Sequence, residues 1–312
     1  MAPVALSPVV RAKLAALGER GERWLADLPS LIADLERRWS IRVGAPLSQG
    51  TCSYVARART ADGGDAVLKL GIPEPGFDAQ VRTLAAAHGR GYVRLLAYDV
   101  ERHAMLQEAL GPSLADLGWS PERTIEVLCA TLREAWRVPR PPGATVAPSE
   151  EKARGLHGLV TSLWERLRHP CSERVVRKAL EYAERRAAAF DLDRCVVVHG
   201  DPHPANALTV RTPRPGAESG VVFVDPDGFL AEPAYDLGVV LREWCEQLLA
   251  AADDAPALAR RYCRLLADHT GVDEEAIWEW GFLERVSTGL YVLQYGAADM
   301  ARPYLESAEL LV

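Results

Sequence analysis

The fold class can be inferred from one stretch of the sequence, Val196-Val197-Val198-His199-Gly200-Asp201-Pro202-His203-Pro204-Ala205-Asn206. The run of valines at its start predicts a short buried strand, because β-branched residues favour strands. Gly200 and the prolines after it cannot continue a helix or a central strand, so the chain enters a loop there. The strand therefore delivers Asp201 into a loop, where we expect the acid to serve a functional site rather than a core.

A second acidic element follows at Val221-Val222-Phe223-Val224-Asp225-Pro226-Asp227, beyond a turn-rich insert at 212–220. Asp201 and Asn206 are five residues apart, which is the interval between the base and the metal-binding Asn in the kinase catalytic loop H-R-D-x-x-x-x-N. Asp225 then stands where kinases keep the Asp that binds Mg²⁺. A His-Gly-Asp turn alone is usually only a turn, but the two elements together predict a phosphoryl-transfer site.

The chemistry of phosphoryl transfer explains why these residue types occur together. The reaction needs little covalent work from the protein, so the site must orient a hydroxyl, hold Mg²⁺ on the phosphates and neutralise developing charge. We expect Asp201 to orient and deprotonate the hydroxyl. Asn206 and Asp225 would supply the hard oxygen ligands that Mg²⁺ prefers.

Length and hydropathy set broad limits on the class of protein. With 312 residues, 48% of them hydrophobic, the chain can bury a sizeable core and has the length of two lobes. No window reaches the roughly 18 to 20 uninterrupted apolar residues that a membrane span needs. The start of the chain carries Arg11 and Lys13 and no hydrophobic run of signal-peptide type, so we expect a cytoplasmic protein without membrane contact.

Charge and cysteine content narrow the choice of partners. The formal charge of −7 argues against nucleic acid, whose binders usually carry a basic face, and is compatible with a small cationic substrate. The six cysteines are scattered without a C-x-x-C pair, which argues against a zinc site and against a disulfide scaffold. We also expect the protein to be a monomer.

The region before residue 70 predicts a nucleotide-binding sheet preceded by helices. Apolar residues recur at helical spacing from Pro8 to Trp39, and Pro29 is expected to divide this segment into two helices. Strand, small-residue loop, strand, tight glycine turn and a strand ending in Lys69 then follow, which is the order in a kinase nucleotide-binding sheet. Small loop residues that would offer N–H and hydroxyl donors to phosphates are Gly50, Thr51 and Ser53.

Lys69 is the sharpest signal in this region. A buried lysine needs a partner, and an ATP phosphate would be one, although a solvent-facing position is the alternative. Kinases place the Glu that pairs with this lysine on the following helix. Here the nearest candidates are Asp78 and Gln80, neither of which is Glu, so the partner is left unassigned. The strand at 104–111 then leads into Pro112, as an interlobe hinge would, and hinge backbone can pair with adenine.

Beyond Ser113 the pattern becomes mainly helical, which predicts an α+β protein with two lobes. We expect a nucleotide-binding lobe that includes the hinge at residues 1–110, and a catalytic and substrate-binding lobe at residues 111–312. Asp236 opens one of the later helices, and we expect it to accept hydrogen bonds from the catalytic loop rather than to take part in the chemistry.

Several of these segments resemble a known family. The catalytic loop, Asp225-Pro226-Asp227 and Glu232-Pro233-Ala234-Tyr235-Asp236 are similar to the aminoglycoside phosphotransferase family of the protein-kinase-like fold. The segments from Gly21 to Pro29 and from Gly89 to Ala97 resemble, more narrowly, its streptomycin 6-phosphotransferase and hydroxyurea kinase branch. The resemblance covers nearly the whole chain. It implies a bilobal α+β fold, with N-terminal helices and a small β-rich N-lobe followed by a larger, mainly helical C-lobe.

The resemblance also implies ATP, Mg²⁺ and transfer of the γ-phosphoryl group to a hydroxyl of an aminoglycoside antibiotic, with streptomycin the first candidate. The roles that it assigns are base for Asp201, metal ligands for Asn206 and Asp225, phosphate contact for Lys69, and hinge backbone toward adenine for Gln107 and Ala109. The missing helix Glu is a departure from the pattern and weakens the assignment of Lys69.

The substrate side transfers least, because a fold can keep its catalytic parts while the acceptor site is rebuilt. Carboxylates that would attract a cationic acceptor are Asp227, Glu232, Glu243, Glu246, Glu279 and Glu284. The alternative is that they lie on ordinary solvated helix faces. Three functions stay open: an antibiotic kinase, a kinase of hydroxyurea or another small hydroxylated metabolite, and a kinase-like binding protein without turnover. The retained base argues against the last.

Overall fold

The computed structural model describes residues 6, 8–47, 53–147 and 151–312. Within these residues, the N-terminal part is an antiparallel sheet of five strands in the order β1-β2-β3-β5-β4. The strands are β1 Ile41–Leu47, β2 Ser53–Thr60, β3 Asp65–Gly71, β4 Leu95–Asp99 and β5 Ala104–Glu108. The helices of this part are α1 Pro8–Ala16, α2 Glu19–Trp39 and α3 Phe77–Ala87.

Helix α2 covers one face of the sheet and runs straight through Pro29. Leu28 and Leu35 are fully buried and belong to one apolar cluster with the sheet residues Leu68 and Leu70. This burial offsets the backbone hydrogen bond that proline removes. The predicted break at Pro29 is therefore wrong, and the two helices separate at Gly18, whose φ of 55° suits glycine.

The C-terminal part is mainly helical. Its helices are α4 Pro121–Ala135, α5 Lys152–Arg166, α6 Glu173–Ala188, α7 Pro233–Leu241, α8 Cys245–Ala251, α9 Ala255–Thr270, α10 Glu274–Leu293 and α11 Ala298–Leu310. Its short strands form two antiparallel pairs, β6 Val196–Val198 with β9 Phe229–Ala231, and β7 Ala207–Thr209 with β8 Val221–Phe223. Among the described helices, none is both long enough and apolar enough to cross a membrane.

Helix α10 lies at the centre of the helical part, with most of its residues buried. It crosses α7 so closely that a Cβ added to Gly238 would lie 2.8 Å from the backbone nitrogen of Gly281. Such an approach needs glycine, because any side chain would push the two backbones apart. This crossing fixes α7, which carries Asp236 at its start, beneath the catalytic loop.

The sheet and the helical part meet along the segment after β5. The N–H of Gly111 donates to the carbonyl of Thr209 at 2.8 Å, and the N–H of Thr209 donates to Pro112 at 3.0 Å. Arg211, beyond β7, reaches back across the joint to Asp65 at 2.8 Å and to the carbonyl of Leu110 at 3.1 Å. The two parts therefore enclose a cleft that is lined on the helical side by Leu208 of β7 and by Val224 and Asp225, which follow β8.

Candidate active site

The carboxylate of Asp236 fixes the backbone of the loop after β6. It accepts the N–H groups of His199 and Gly200, each at 2.9 Å, and the indole N–H of Trp136 at 2.9 Å. Burial raises the pKa of Asp236 to about 6, although these three donors act in the opposite direction. The expectation that Asp236 supports the catalytic loop is confirmed.

His199 links this loop to the segment after β8. Its Nε2 lies 2.8 Å from the carbonyl of Val224 and must donate the proton, while Nδ1 accepts the N–H of Asp201 at 3.0 Å. Both bonds require the neutral ring with hydrogen on Nε2. Burial of the ring lowers the pKa of His199 to about 4, so the neutral form persists through physiological pH.

Asp201 emerges from this loop beside two cationic groups. One carboxylate oxygen accepts from the guanidinium of Arg242, and the other lies 3.3 Å from Nε2 of His203. Partial burial would raise the pKa of Asp201, but the charge of Arg242 and the bond to His203 outweigh it and hold this pKa well below its usual range. Asp201 is therefore ionised at neutral pH, as a base must be.

Arg242 is itself fixed by groups on α10. Its guanidinium donates to Glu284 at 2.9 Å and to the hydroxyl of Thr288 at 3.2 Å. Glu284 is buried and also accepts the hydroxyl of Tyr235 at 2.7 Å. The Asp201 carboxylate is thus oriented by a chain of charged and polar contacts that begins inside the helical part.

On the other side of the loop, Asn206 lines the same cleft as Asp225 and Lys69, which are in direct contact with each other. The side-chain amide of Asn206 donates to the carbonyl of Asp201 at 3.0 Å, which leaves its oxygen available to a ligand. Asp225 has a left-handed φ of 59° and carries its carboxylate to 2.5 Å from Nζ of Lys69. All three residues line the cleft.

The partner of Lys69 is resolved by these contacts. Nζ of this buried lysine donates to the side-chain oxygen of Gln80 at 3.0 Å as well as to Asp225. Gln80 lies on α3, where a kinase keeps its Glu, and its own amide reaches the carbonyl of Pro226 at 3.4 Å. Asp78, the other candidate, pairs instead with Arg82 on the same helix.

The cleft has a volume of about 520 Å³. At the end away from Lys69 it is lined by the segment from Gln107 to Pro112, with Val55 and Ala66 of the sheet on one side and Leu208 of β7 on the other. Apolar walls around a strip of backbone suit a flat aromatic base, while the charged end suits phosphates. Among the described residues, the N–H of Ala109 in this strip has no hydrogen-bond partner.

Two of the predicted phosphate-loop residues, Gly50 and Thr51, lie outside the described residues. Ser53 is the first residue of β2 and is buried opposite Gly71 rather than lining the cleft. The contribution of Ser53 to phosphate binding stays a prediction, because the loop that precedes it lies outside the described residues.

The six predicted substrate carboxylates separate into two groups. Glu279 is buried and paired with Arg186 at 2.6 Å and Arg185 at 3.1 Å, and Glu232 accepts the indole N–H of Trp280 at 2.8 Å. Glu246 is exposed on α8. The prediction that Glu279 and Glu232 face an acceptor is wrong, since both are occupied by internal partners, and no contact joins Glu246 to the loop around Asp201 within the part of the chain described.

The remaining carboxylates surround Asp201. Glu243 lies 3.6 Å from the Arg242 guanidinium, and Glu284 holds the same group from behind. Asp227 is open to solvent beside Gly200, yet the walls around it withhold part of its hydrating water and raise its pKa to about 6, with the charges of Asp201 and Glu284 acting in the same direction against Lys152. Asp227 and Glu243 are therefore the carboxylates open to a cationic ligand near the base.

Two residues of this site were not predicted, Arg242 and His203. His203 stands within the catalytic loop, so the spacing His-Gly-Asp-Pro-His could have suggested it. Arg242 is 41 positions from Asp201 in the chain and lies at the end of a helix, where no local pattern distinguishes it from a surface arginine.

Comparison with known sequences shows the family to which this chain belongs. Residues 38–296 match the family of the aminoglycoside/hydroxyurea antibiotic resistance kinases. The chain belongs to this family. The chain is similar to a streptomycin 6-kinase of Streptomyces griseus, 30% identical over 94% of this chain and 92% of the relative, and to a hydroxyurea phosphotransferase of Kitasatospora aureofaciens, 28% identical over 95% of this chain and 82% of the relative.

Solved structures agree on the fold of this antibiotic resistance kinase family member. The aminoglycoside phosphotransferase APH(3'')-Id of Streptomyces rimosus, solved with ADP and streptomycin, superposes with a TM-score of 0.53 at 17% identity, covering 84% of this chain and 98% of that one. The protein-kinase-like α+β fold predicted from the sequence is confirmed. The protein is a phosphotransferase that acts on a hydroxyl group of a small molecule.

Proposed function

We propose that this family member is an ATP- and Mg²⁺-dependent kinase of a cationic, polyhydroxylated aminocyclitol compound, with streptomycin the first candidate. The observation that carries the proposal is that Lys69, Asn206 and Asp225 line one cleft, with Asp201 on the same loop as Asn206. In this proposal residues 1–110 bind the nucleotide, and residues 111–312 provide the base and the acceptor site of a monomeric, cytoplasmic enzyme.

The residues present fit a magnesium nucleotide. Mg²⁺ on ATP is usually held by one or two protein oxygens together with phosphates and water, and Asn206 and Asp225 offer that number. Among the described residues no group of three or more His, Cys, Asp or Glu side chains is arranged for a metal ion, which suits a site that depends on the phosphates. When bound, the nucleotide would supply the γ-phosphoryl group, and the metal held by Asn206 and Asp225 would neutralise its charge.

Lys69 would contact the phosphates from the sheet side. Its present ion pair with Asp225 is compatible with this role, because a bound magnesium nucleotide would offer the lysine a phosphate and the carboxylate a metal ion as new partners. Gln80 stays in contact with Nζ and would keep the lysine aimed at the cleft. Because this amide is neutral, it holds Nζ without adding a negative charge that would repel the phosphates.

Asp201 would accept the proton of the acceptor hydroxyl. Its carboxylate is ionised, and its backbone is fixed by His199 and by the amide of Asn206. Arg242 and His203 hold the two carboxylate oxygens and would keep them directed to the acceptor side. These contacts lower the pKa of Asp201, which makes it a weaker base, but they fix its orientation. A weak, well-oriented base suits a reaction whose transition state is loose and largely dissociative.

The acceptor side supports a cationic substrate. Asp201, Asp227 and Glu243 place three carboxyl groups around the loop, and the chain carries a formal charge of −7. Ammonium or guanidinium groups form charge-assisted hydrogen bonds with such carboxylates. The names of the relatives point to streptomycin and, as a second candidate, to hydroxyurea, since one relative is a hydroxyurea phosphotransferase.

An ATP-consumption assay with a panel of aminoglycosides, hydroxyurea, sugars and amino alcohols tests the proposal. We expect Mg²⁺-dependent turnover with streptomycin above all others, weakened by salt because screened charges attract less. Turnover with hydroxyurea instead would transfer the assignment to the second candidate. Absence of turnover with the whole panel, in a folded sample, would leave the acceptor proposal without support.

A further inference from the structure

Gln107 is a buried polar side chain without an internal explanation. It lies on β5, is 5% exposed, and its amide Nε2 has no hydrogen-bond partner among the described residues. Leaving a buried amide unpaired costs free energy, so such groups in folded proteins usually form a hydrogen bond with water or a ligand. The question is therefore what Gln107 faces.

The register of β3 and β5 shows which face of the sheet Gln107 occupies. Gln107 lies opposite Val67 of β3, and Met105 lies opposite Lys69. Opposite residues of an antiparallel pair share a face, and residues two apart on one strand share it too. Gln107 is therefore on the same face of the sheet as Lys69, whose amine reaches Asp225 in the cleft. Val67, Lys69 and Gln107 all line this cleft.

The chemistry of the amide selects among purine bases. A Gln side chain carries one acceptor and one pair of donors side by side. Adenine presents a matching pair on one edge, with its N6 amino group as donor and N7 as acceptor, and Gln reads this edge in DNA through two parallel hydrogen bonds. Guanine presents two acceptors there, O6 and N7, so one of them would face the carbonyl oxygen of the side chain.

We propose that Gln107 binds the N6/N7 edge of the nucleotide's adenine and makes this phosphotransferase selective for adenine over guanine nucleotides. The inference rests on the proposed function, since it needs a purine nucleotide in the cleft. It also adds a role to the expected backbone contacts of Gln107 and Ala109. One N6 hydrogen goes to backbone and the other to the side chain, so the two sets of contacts are compatible.

Nucleotide binding measured by titration calorimetry with Mg²⁺ tests this inference without any acceptor. The probes are ATP, GTP and 7-deaza-ATP, in which a C–H group replaces N7. The variant Gln107→Met keeps the length of the side chain and removes the amide. Gln247→Met, at an exposed position on α8, is the matched control. Thermal unfolding of each variant shows that the fold is retained.

For the unmodified protein we expect ATP to bind about 2- to 12-fold more tightly than 7-deaza-ATP, the effect of one hydrogen bond. We expect GTP to bind roughly 5- to 150-fold more weakly than ATP. In Gln107→Met the ratio of ATP to 7-deaza-ATP should fall to about one and the preference over GTP should shrink, whereas Gln247→Met should keep both ratios.

Equal binding of ATP and 7-deaza-ATP by the unmodified protein would overturn the role of Gln107 and leave the proposed function intact. So would unchanged ratios in Gln107→Met. Failure of a folded sample to bind any of the three nucleotides would overturn the nucleotide proposal itself, and with it this inference.

Discussion

Replacing Arg242 by Gln removes the group that orients Asp201, the proposed base. The guanidinium joins Asp201 to Glu284 and Thr288, and only 11% of its side chain is exposed. Its loss leaves Glu284 buried and without a countercharge, which costs about 3–5 kcal/mol when one partner of a buried ion pair is removed. We expect the lower end of that range, because the Asp201 end of the network is 38% exposed and water can replace part of the contact.

Activity should fall more than stability alone explains. Without Arg242 the carboxylate of Asp201 can rotate, and a displacement of about 1 Å at a reacting group costs roughly 10²-fold in rate. We therefore expect kcat to drop by about this factor with KM for ATP unchanged. Arg242→Lys should recover part of the stability but little of kcat, since an ammonium group cannot hold Asp201 and Glu284 in one fixed fork.

Urea unfolding and steady-state kinetics on Arg242→Gln, Arg242→Lys and the double variant Arg242→Gln/Glu284→Gln measure both effects. The double variant should be more stable than Arg242→Gln alone, because it no longer buries an unpaired carboxylate. A folded Arg242→Gln protein with kcat within twofold of the original would refute the reasoning, and so would a double variant less stable than the single one.

Three further predictions follow from the same geometry. Asp201→Asn should leave ATP binding nearly unchanged and lower kcat by roughly 10² to 10⁴; unchanged turnover in a folded variant would sink the assignment of the base. Asp225→Ala should abolish the Mg²⁺ dependence of ATP binding, measured by calorimetry, while Asp227→Ala should retain it; equal behaviour of the two variants would require another metal ligand. Burial lowers the folded-state pKa of His199 to about 4, below its unfolded value near 6.5. The contribution of His199 to the free energy of unfolding is therefore fully present above pH 6.5. It is lost as the pH falls toward 4, by up to about 1.4 kcal/mol per pH unit. In urea titrations the stability advantage of the original over His199→Gln should shrink across that window, and a constant difference would contradict the lowered pKa of His199.

The catalytic end of the site was largely predictable from the sequence. The interval from Asp201 to Asn206 and the later Asp225 are local patterns, and the loops that carry them are short and fixed by strands. The strand ends and turns that precede them carry these residues into their loops. Asp236 was predictable too: it stands at the start of a helix, and the predicted hydrogen bonds to the loop after β6 are present in the structure.

Contacts between distant elements were harder to predict. Helical periodicity does not show whether Glu279 faces solvent or other side chains. In the structure it pairs with two arginines of α6. The helix continues through Pro29 because the burial of Leu28 and Leu35 on the sheet offsets the cost of the proline, and this burial is a contact with residues distant in the chain. The pairing of Lys69 with Gln80 needed the distance between a strand and a helix, which the sequence does not contain.

The central claim is that this chain transfers a phosphoryl group from ATP to a hydroxyl of a cationic small molecule by means of Asp201. Mass spectrometry of streptomycin incubated with the protein, ATP and Mg²⁺ tests it most directly. We predict a product heavier by one phosphoryl group, formed in proportion to ADP, and formed roughly 10² to 10⁴ times more slowly by Asp201→Asn. Equal product formation by the two proteins, or ADP formation without a phosphorylated acceptor, would contradict the claim.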